Sequence, residues 1–155
     1  MSEIYSMPGH LIRRLNQIST SIFQDRMAGL GLDLTSVQFA ALSTLEANPG
    51  IDQATLAGLI AYDRVTIGGV VDRLEAKGLV ARIVNARDRR ARQLALTEAG
   101  AALLERVRPE VLAIQPEILP GLSDAERQLF LTLAARAAEA GNPRSRAPLK
   151  PREHD

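Results

Sequence analysis

Apolar residues recur along most of this chain at helical spacing. Leu11, Leu15, Ile18 and Ile22 step by four and three positions and form one stripe. Pro8 suits the first turn of that helix, where a missing N–H is tolerated. Gly29-Leu30-Gly31 has the composition of a C-terminal cap. A second helix follows Leu34-Thr35-Ser36, with Thr35 or Ser36 as cap and Val37, Ala41, Leu42 and Leu45 on one face. Asn48-Pro49-Gly50 breaks it. Asp52 is placed to cap a short third helix with Leu56, Leu59 and Ile60 inward. Asp63 is placed to cap a fourth, with Ile67, Val70, Val71 and Leu74 at i, i+3, i+4 and i+7. Gly78 stands where a C-cap glycine belongs.

The period then changes. Leu79 to Val84 has strand character, and Gln93 to Leu96 reads as its partner across a charged loop, which predicts a β-hairpin, or wing. Thr97 is placed to cap a fifth helix with Leu103, Leu104, Val107, Val111 and Ile114 inside. Pro109 and Pro116 are expected to bend or interrupt it. Ser123-x-x-Glu126 has the capping-box pattern and opens a sixth helix with Leu129, Leu133 and Ala137 on one face. The predicted fold is mainly α with a small β-hairpin: a winged helix-turn-helix over 34–96, plus a helical dimerisation region from helices at 8–30 and 97–140. Residues 1–140 are then one domain, and the polar, Pro-rich 141–155 is expected to be a disordered tail.

Composition narrows the chemistry. Aromatic residues are 3% of the 155, so the core is aliphatic, which favours helix packed on helix. Cysteine is absent, which excludes disulfides, thiolate metal sites and cysteine nucleophiles or redox triggers. With His10 and His154 the only histidines, neither a metal site nor an acid–base pair is expected, and no cofactor fingerprint, P-loop or G-x-S-x-G motif occurs. An enzyme is therefore not expected. The N-terminus lacks a basic stretch followed by an apolar run, and no apolar segment approaches a membrane span. A cytoplasmic chain without a membrane partner is the expectation.

Net charge is +1, yet the charge is unevenly placed. Residues 64–92 carry eight cations (Arg64, Arg73, Lys77, Arg82, Arg87, Arg89, Arg90, Arg92) against three acids (Asp72, Glu75, Asp88). An ordinary solvated surface also carries such runs. On the fourth helix, however, the side opposite the apolar stripe shows Thr66, Gly69 and Arg73, with Arg64 and Val65 at its start. Small residues flanked by cations suit a helix entering the DNA major groove. A helix-interior glycine costs about 1 kcal/mol relative to alanine, so Gly68-Gly69 points to close approach by a neighbouring helix or by a ligand. The wing tip, with Arg87, Asp88, Arg89 and Arg90, suits phosphate contact or minor-groove insertion. Asp88 is read as fixing Arg89 or Arg90. A mobile, solvated loop is the alternative.

Several motifs in order carry a resemblance. Asp72-Arg73-Leu74-Glu75, Gly78-Leu79-Val80, Asp88-Arg89-Arg90 and Leu96-Thr97-Glu98-Ala99-Gly100 match the recognition helix, wing and following helix of the MarR family of bacterial transcription regulators. Leu34-Thr35-x-x-Gln38-Phe39 and Leu122-Ser123-x-x-Glu126 resemble its second- and last-helix openings, and the likeness spans about residues 8–140. The resemblance implies a homodimer on double-stranded DNA that represses or activates genes and often responds to small phenolic or aromatic-acid ligands; a repressor on a palindromic operator, released by a small aromatic carboxylate, is the expectation. Gly68-Gly69 departs from the family, where Ser, Thr or Arg is common, so the operator sequence does not carry over. A dimer also has a physical basis, because a small winged core cannot cover the stripes of helices one, five and six. A two-fold would set two recognition helices about 34–36 Å apart.

His10 and Arg14 share a face at i, i+4, with Arg13 and Gln17 beside them and Tyr5 upstream. An Arg fork and an adjustable second donor suit a carboxylate. HLIRRL at 10–15 resembles the branch of the family that senses aromatic or N-heteroaromatic carboxylates. The family's effector site, near helices one, two and five, adds Phe39 to these ligand candidates. Dimer-interface or phosphate contacts are the alternative for His10 and Arg14. As a function, the alternative to a ligand-released repressor is a winged-helix protein-interaction module whose wing binds an acidic partner.

Overall fold

The computed structural model describes residues 2–84, 87–88 and 92–152. After a 3-10 turn at Glu3–Ser6, α1 (Pro8–Gly29), α2 (Ser36–Ala47), α3 (Gln53–Leu59) and α4 (Arg64–Ala76) follow in order. Strands β1 (Val80–Val84) and β2 (Arg92–Leu96) form an antiparallel hairpin, with Val80 opposite Leu96 and Val84 opposite Arg92. Then come α5 (Glu98–Ile114), a 3-10 turn at Gln115–Ile118, α6 (Asp124–Gly141) and a last 3-10 turn at Asn142–Arg144. The fold is mainly helical with one small hairpin, as the periodicities predict.

Side-chain caps fix the element starts. Thr35 and Ser123 close full capping boxes with Gln38 and Glu126, while Asp52, Asp63 and Thr97 accept from the backbone N–H of Thr55, Thr66 and Gly100. Gly31 and Gly78 take φ of 70° and 72° after α1 and α4, where a side chain would be strained. The core joins Ala41, Leu42 and Leu45 of α2, Leu56 of α3, all four predicted residues of α4, Leu94 of β2, and Leu104, Val107 and Ile114 of α5. From α1 it takes Phe23 and Met27, which the sequence stripe did not include.

Three details differ from expectation. Pro109 lies inside α5 without ending it. Its ring sits on the exposed side, where the carbonyl one turn earlier can turn toward water. Pro116 instead marks the change from α to 3-10 geometry. The hairpin gains a third, minimal partner: Gly50 N–H donates to Leu94 O at 3.1 Å and Leu94 N–H to Ile51 O at 2.8 Å. Residues 142–150, expected to be disordered, take a hydrogen-bonded course. Asn142 pairs with both backbone groups of Leu149 (2.9 and 2.7 Å), and Lys150 N–H donates to Gly58 O at 2.8 Å. The physical reason is local: the Asn142 side chain supplies the backbone partners that the tail's composition cannot.

Candidate functional site

The fourth helix projects from the core with its apolar side buried and its N-terminal end bare. Arg64, Val65, Thr66 and Arg73 are exposed, Val65 at 86%. Asp63 fixes the helix start, its carboxylate accepting from Thr66 N–H at 2.8 Å and Thr66 Oγ1 at 2.6 Å. These bonds hold the Asp63 pKa below the ordinary carboxylate value. Because the Thr66 proton is given to Asp63, the hydroxyl keeps only acceptor capacity for another partner. The two glycines divide their roles. A Cβ on Gly68 would lie 3.3 Å from Gln53 Nε2 of α3, while one on Gly69 would meet only the Arg73 guanidinium, at 3.5 Å. Gly68 therefore serves close helix packing, and Gly69 lies under Arg73, whose Nη1 donates to the Gly69 carbonyl at 3.4 Å.

The wing is tied to this helix by a set of bonds that the charge pattern alone did not reveal. Arg82 of β1 donates to Asp72 at 2.6 Å, to Glu75 at 3.0 Å and to Gln53 of α3 at 3.3 Å. Burial disfavours its charge, but the hydrogen bonds and negative charge of Asp72 and Glu75 outweigh that and raise its pKa. The available signal was the pair Asp72 and Glu75, three apart on one helix face, facing a strand that begins five residues later. Lys77, at the exposed end of α4, reaches across to Asp33 and, at 3.3 Å, to Gln38 of α2. Arg82 and Lys77, two of the described cations, thus tie elements of the fold together. Arg87 and Asp88 are exposed at the wing. Arg89 and Arg90 lie outside the described residues, and so does any orienting of them by Asp88.

Five of the six ligand candidates sit together at the start of α1. The Tyr5 ring meets His10 edge-on at 5.8 Å, and Arg13 donates to Gln17 at 2.7 Å. Arg14 is exposed beside them. Phe39 is elsewhere, tilted against Phe23 at 6.2 Å. Phe23 is thirteen residues beyond His10, about 20 Å along a helix. One protomer does not bring Phe39 to the others. Nor do the six residues line either of two surface depressions, one at Ile22, Arg26 and Glu117, the other at Glu46, Glu98 and Arg108.

Residues 34–91, the helix-turn-helix and most of the wing, match the MarR family. The transcriptional repressor NicR of Pseudomonas putida is 35% identical over 138 residues, covering 89% of this chain and 86% of the relative. The chain belongs to the MarR family. Two solved structures share its form. The regulator PcaV of Streptomyces coelicolor, in complex with its natural ligand, has a TM-score of 0.81 at 32% identity, covering 91% of this chain and 98% of that one. BpsR of Bordetella bronchiseptica, whose DNA binding is regulated by 6-hydroxynicotinic acid, also has a TM-score of 0.81, at 30% identity, covering 89% and 97%. As a MarR-type protein the chain is a DNA-binding transcriptional regulator with a winged helix-turn-helix, and the relatives it matches are named as transcriptional regulators.

Proposed function

We propose that this MarR-family regulator is a repressor that works as a homodimer on a palindromic operator and is released by a small aromatic carboxylate. The carrying observation is the uncovered apolar surface of the two terminal helices. No residue of α6 is buried, and Leu129, Leu131 and Leu133 are each more than half exposed. On α1, Leu11, Ile12 and Ile18 are likewise exposed. An 18-residue helix with no buried face lacks the tertiary packing that stabilises most helices. A second copy offers the same stripes in return and closes the surface by two-fold symmetry.

In this reading α4 enters the major groove with Val65, Thr66, Gly69 and Arg73 toward the bases. Arg64 and the wing residues Arg87, Arg89 and Arg90 meet phosphate or the minor groove, with Asp88 orienting a neighbour. The effector site forms between copies. The cluster of Tyr5, His10, Arg13, Arg14 and Gln17 binds the carboxylate and ring edge, and Phe39 serves only where the two-fold brings another surface to it. The ligand chemistry of BpsR supports a ring carboxylate.

Light scattering at micromolar concentration tests the assembly, with a dimer expected and a monomer refuting it. A thermal-shift series with 6-hydroxynicotinate tests the effector, because binding to the folded state raises the melting temperature. Arg14→Ala is expected to lose that shift while keeping DNA affinity. An equal shift in that variant places the pocket elsewhere.

A further inference from the structure

The C-terminal segment crosses the helix-turn-helix at a built seat. Lys150 donates its backbone N–H to Gly58 O, and its side chain lies over the bare Cα of Gly58, where a Cβ would come within 3.1 Å of Lys150 Cβ. Gly58 is a glycine inside a seven-residue helix, a position disfavoured by about 1 kcal/mol unless something needs the space. The segment is that something. Upstream, Asn142 grips Leu149 through its backbone N–H and C=O, closing a loop whose prolines at 143 and 148 restrict the chain further.

The segment is also strongly one-signed. Residues 142–152 carry Arg144, Arg146, Lys150 and Arg152, all exposed, and no acid; Glu153 and Asp155 come only afterwards. The seat lies five residues before Asp63, the cap of α4. A recognition helix meets bases with its N-terminal residues while the helix before it crosses the backbone. The seat therefore lies on the helix that would cross the backbone, and the segment it holds carries four cations.

We propose that residues 142–152 are a basic arm of the DNA interface, held on Gly58 so that its cations contact phosphates beside the recognition helix. The proposal rests on the DNA-binding reading and adds a surface outside the helix-turn-helix and wing.

The test is a salt series of duplex-DNA affinity for the full-length protein, using random-sequence duplex, for wild type and for the variant R144Q/R146Q/K150Q/R152Q. Removing one cation from a phosphate flattens the slope of log affinity against log salt by about 0.9, so a slope at least about 1 unit shallower is expected. Asn142→Ala keeps every charge but releases the seat, and is expected to weaken binding severalfold. Melting curves check that both variants fold. A steep wild-type slope left unchanged by the fourfold variant overturns the arm alone. Wild-type affinity in Asn142→Ala overturns the seat as what positions it. A wild type with no salt-dependent DNA binding would refute the DNA-binding reading itself.

Discussion

Gly100 lies against the carbonyl of Leu79 so closely that a Cβ there would come within 2.1 Å of the oxygen. Thr97 explains the approach. Its backbone N–H donates to that same carbonyl at 3.1 Å, its hydroxyl donates to Gly78 O at 2.6 Å, and the hydroxyl accepts from Gly100 N–H at 3.0 Å. The Leu-Thr-x-x-Gly pattern is therefore a clamp between the end of α4 and the start of α5. Gly100→Ala is expected to lose about 2–3 kcal/mol, the upper range for overpacking. Gly121→Ala, with nothing within 4 Å, is expected to stay within about 0.5 kcal/mol. Denaturant unfolding of both variants decides; equal stabilities contradict the clamp.

Gly69→Ala separates stability from function. The new methyl would make only ordinary contact with the Arg73 guanidinium. Helix propensity should therefore raise stability by about 0.5–1 kcal/mol. DNA affinity should fall, because the methyl stands between the helix and the groove. A more stable protein with unchanged operator affinity means that Gly69 does not face DNA.

Much of this architecture is legible in the sequence, and the exceptions share a cause. The α4 stripe Ile67, Val70, Val71 and Leu74 is buried as its spacing predicts. The caps at Thr35, Asp52, Asp63, Thr97 and Ser123 depend on bonds three residues away, so local sequence specifies them. What was not legible depends on which groups meet in space. Arg82 counted as one of eight cations in the basic stretch, yet its partners on α3 and α4 turn it inward. The six ligand candidates looked like one site, but the length of α1 separates Phe39 from the rest. The tail's Pro-rich composition hid the Asn142–Leu149 pairing, because composition does not record which backbone groups meet.

Arg82→Ala should release the wing from the recognition helix. Asp72 and Glu75 are 69% and 45% exposed, so water replaces much of what they lose. Stability is expected to drop by about 1–2 kcal/mol. DNA affinity should fall more than that exposure suggests, because the wing no longer holds its angle to α4. Arg82→Lys should restore only part, since an ammonium does not reproduce the forked contact. Unchanged DNA affinity in Arg82→Ala assigns the ion pairs to stability alone.

Asp63 sets a pH dependence whose sign is fixed. Its folded pKa is lowered by the Thr66 bonds, so its stabilising effect is full above the unfolded carboxylate pKa and is lost as pH falls through the folded value. Asp52 and Glu126 are lowered too, through Thr55 and Ser123. Asp63→Ala should therefore be less stable than wild type at neutral pH, with the gap closing in acid below the carboxylate range. A gap that persists unchanged into acid contradicts the cap as its source.

The central claim is that α4 and the wing read DNA. Its most direct test is an affinity measurement on a duplex from the protein's own promoter region against random duplex, across a salt series, for wild type and Arg73→Ala. Log affinity should fall steeply with log salt, with the promoter duplex bound at least about 10³-fold tighter than random sequence. Arg73→Ala should weaken binding while the dimer persists. A wild type that binds its promoter no better than random duplex, or an Arg73→Ala variant of undiminished affinity, would contradict it.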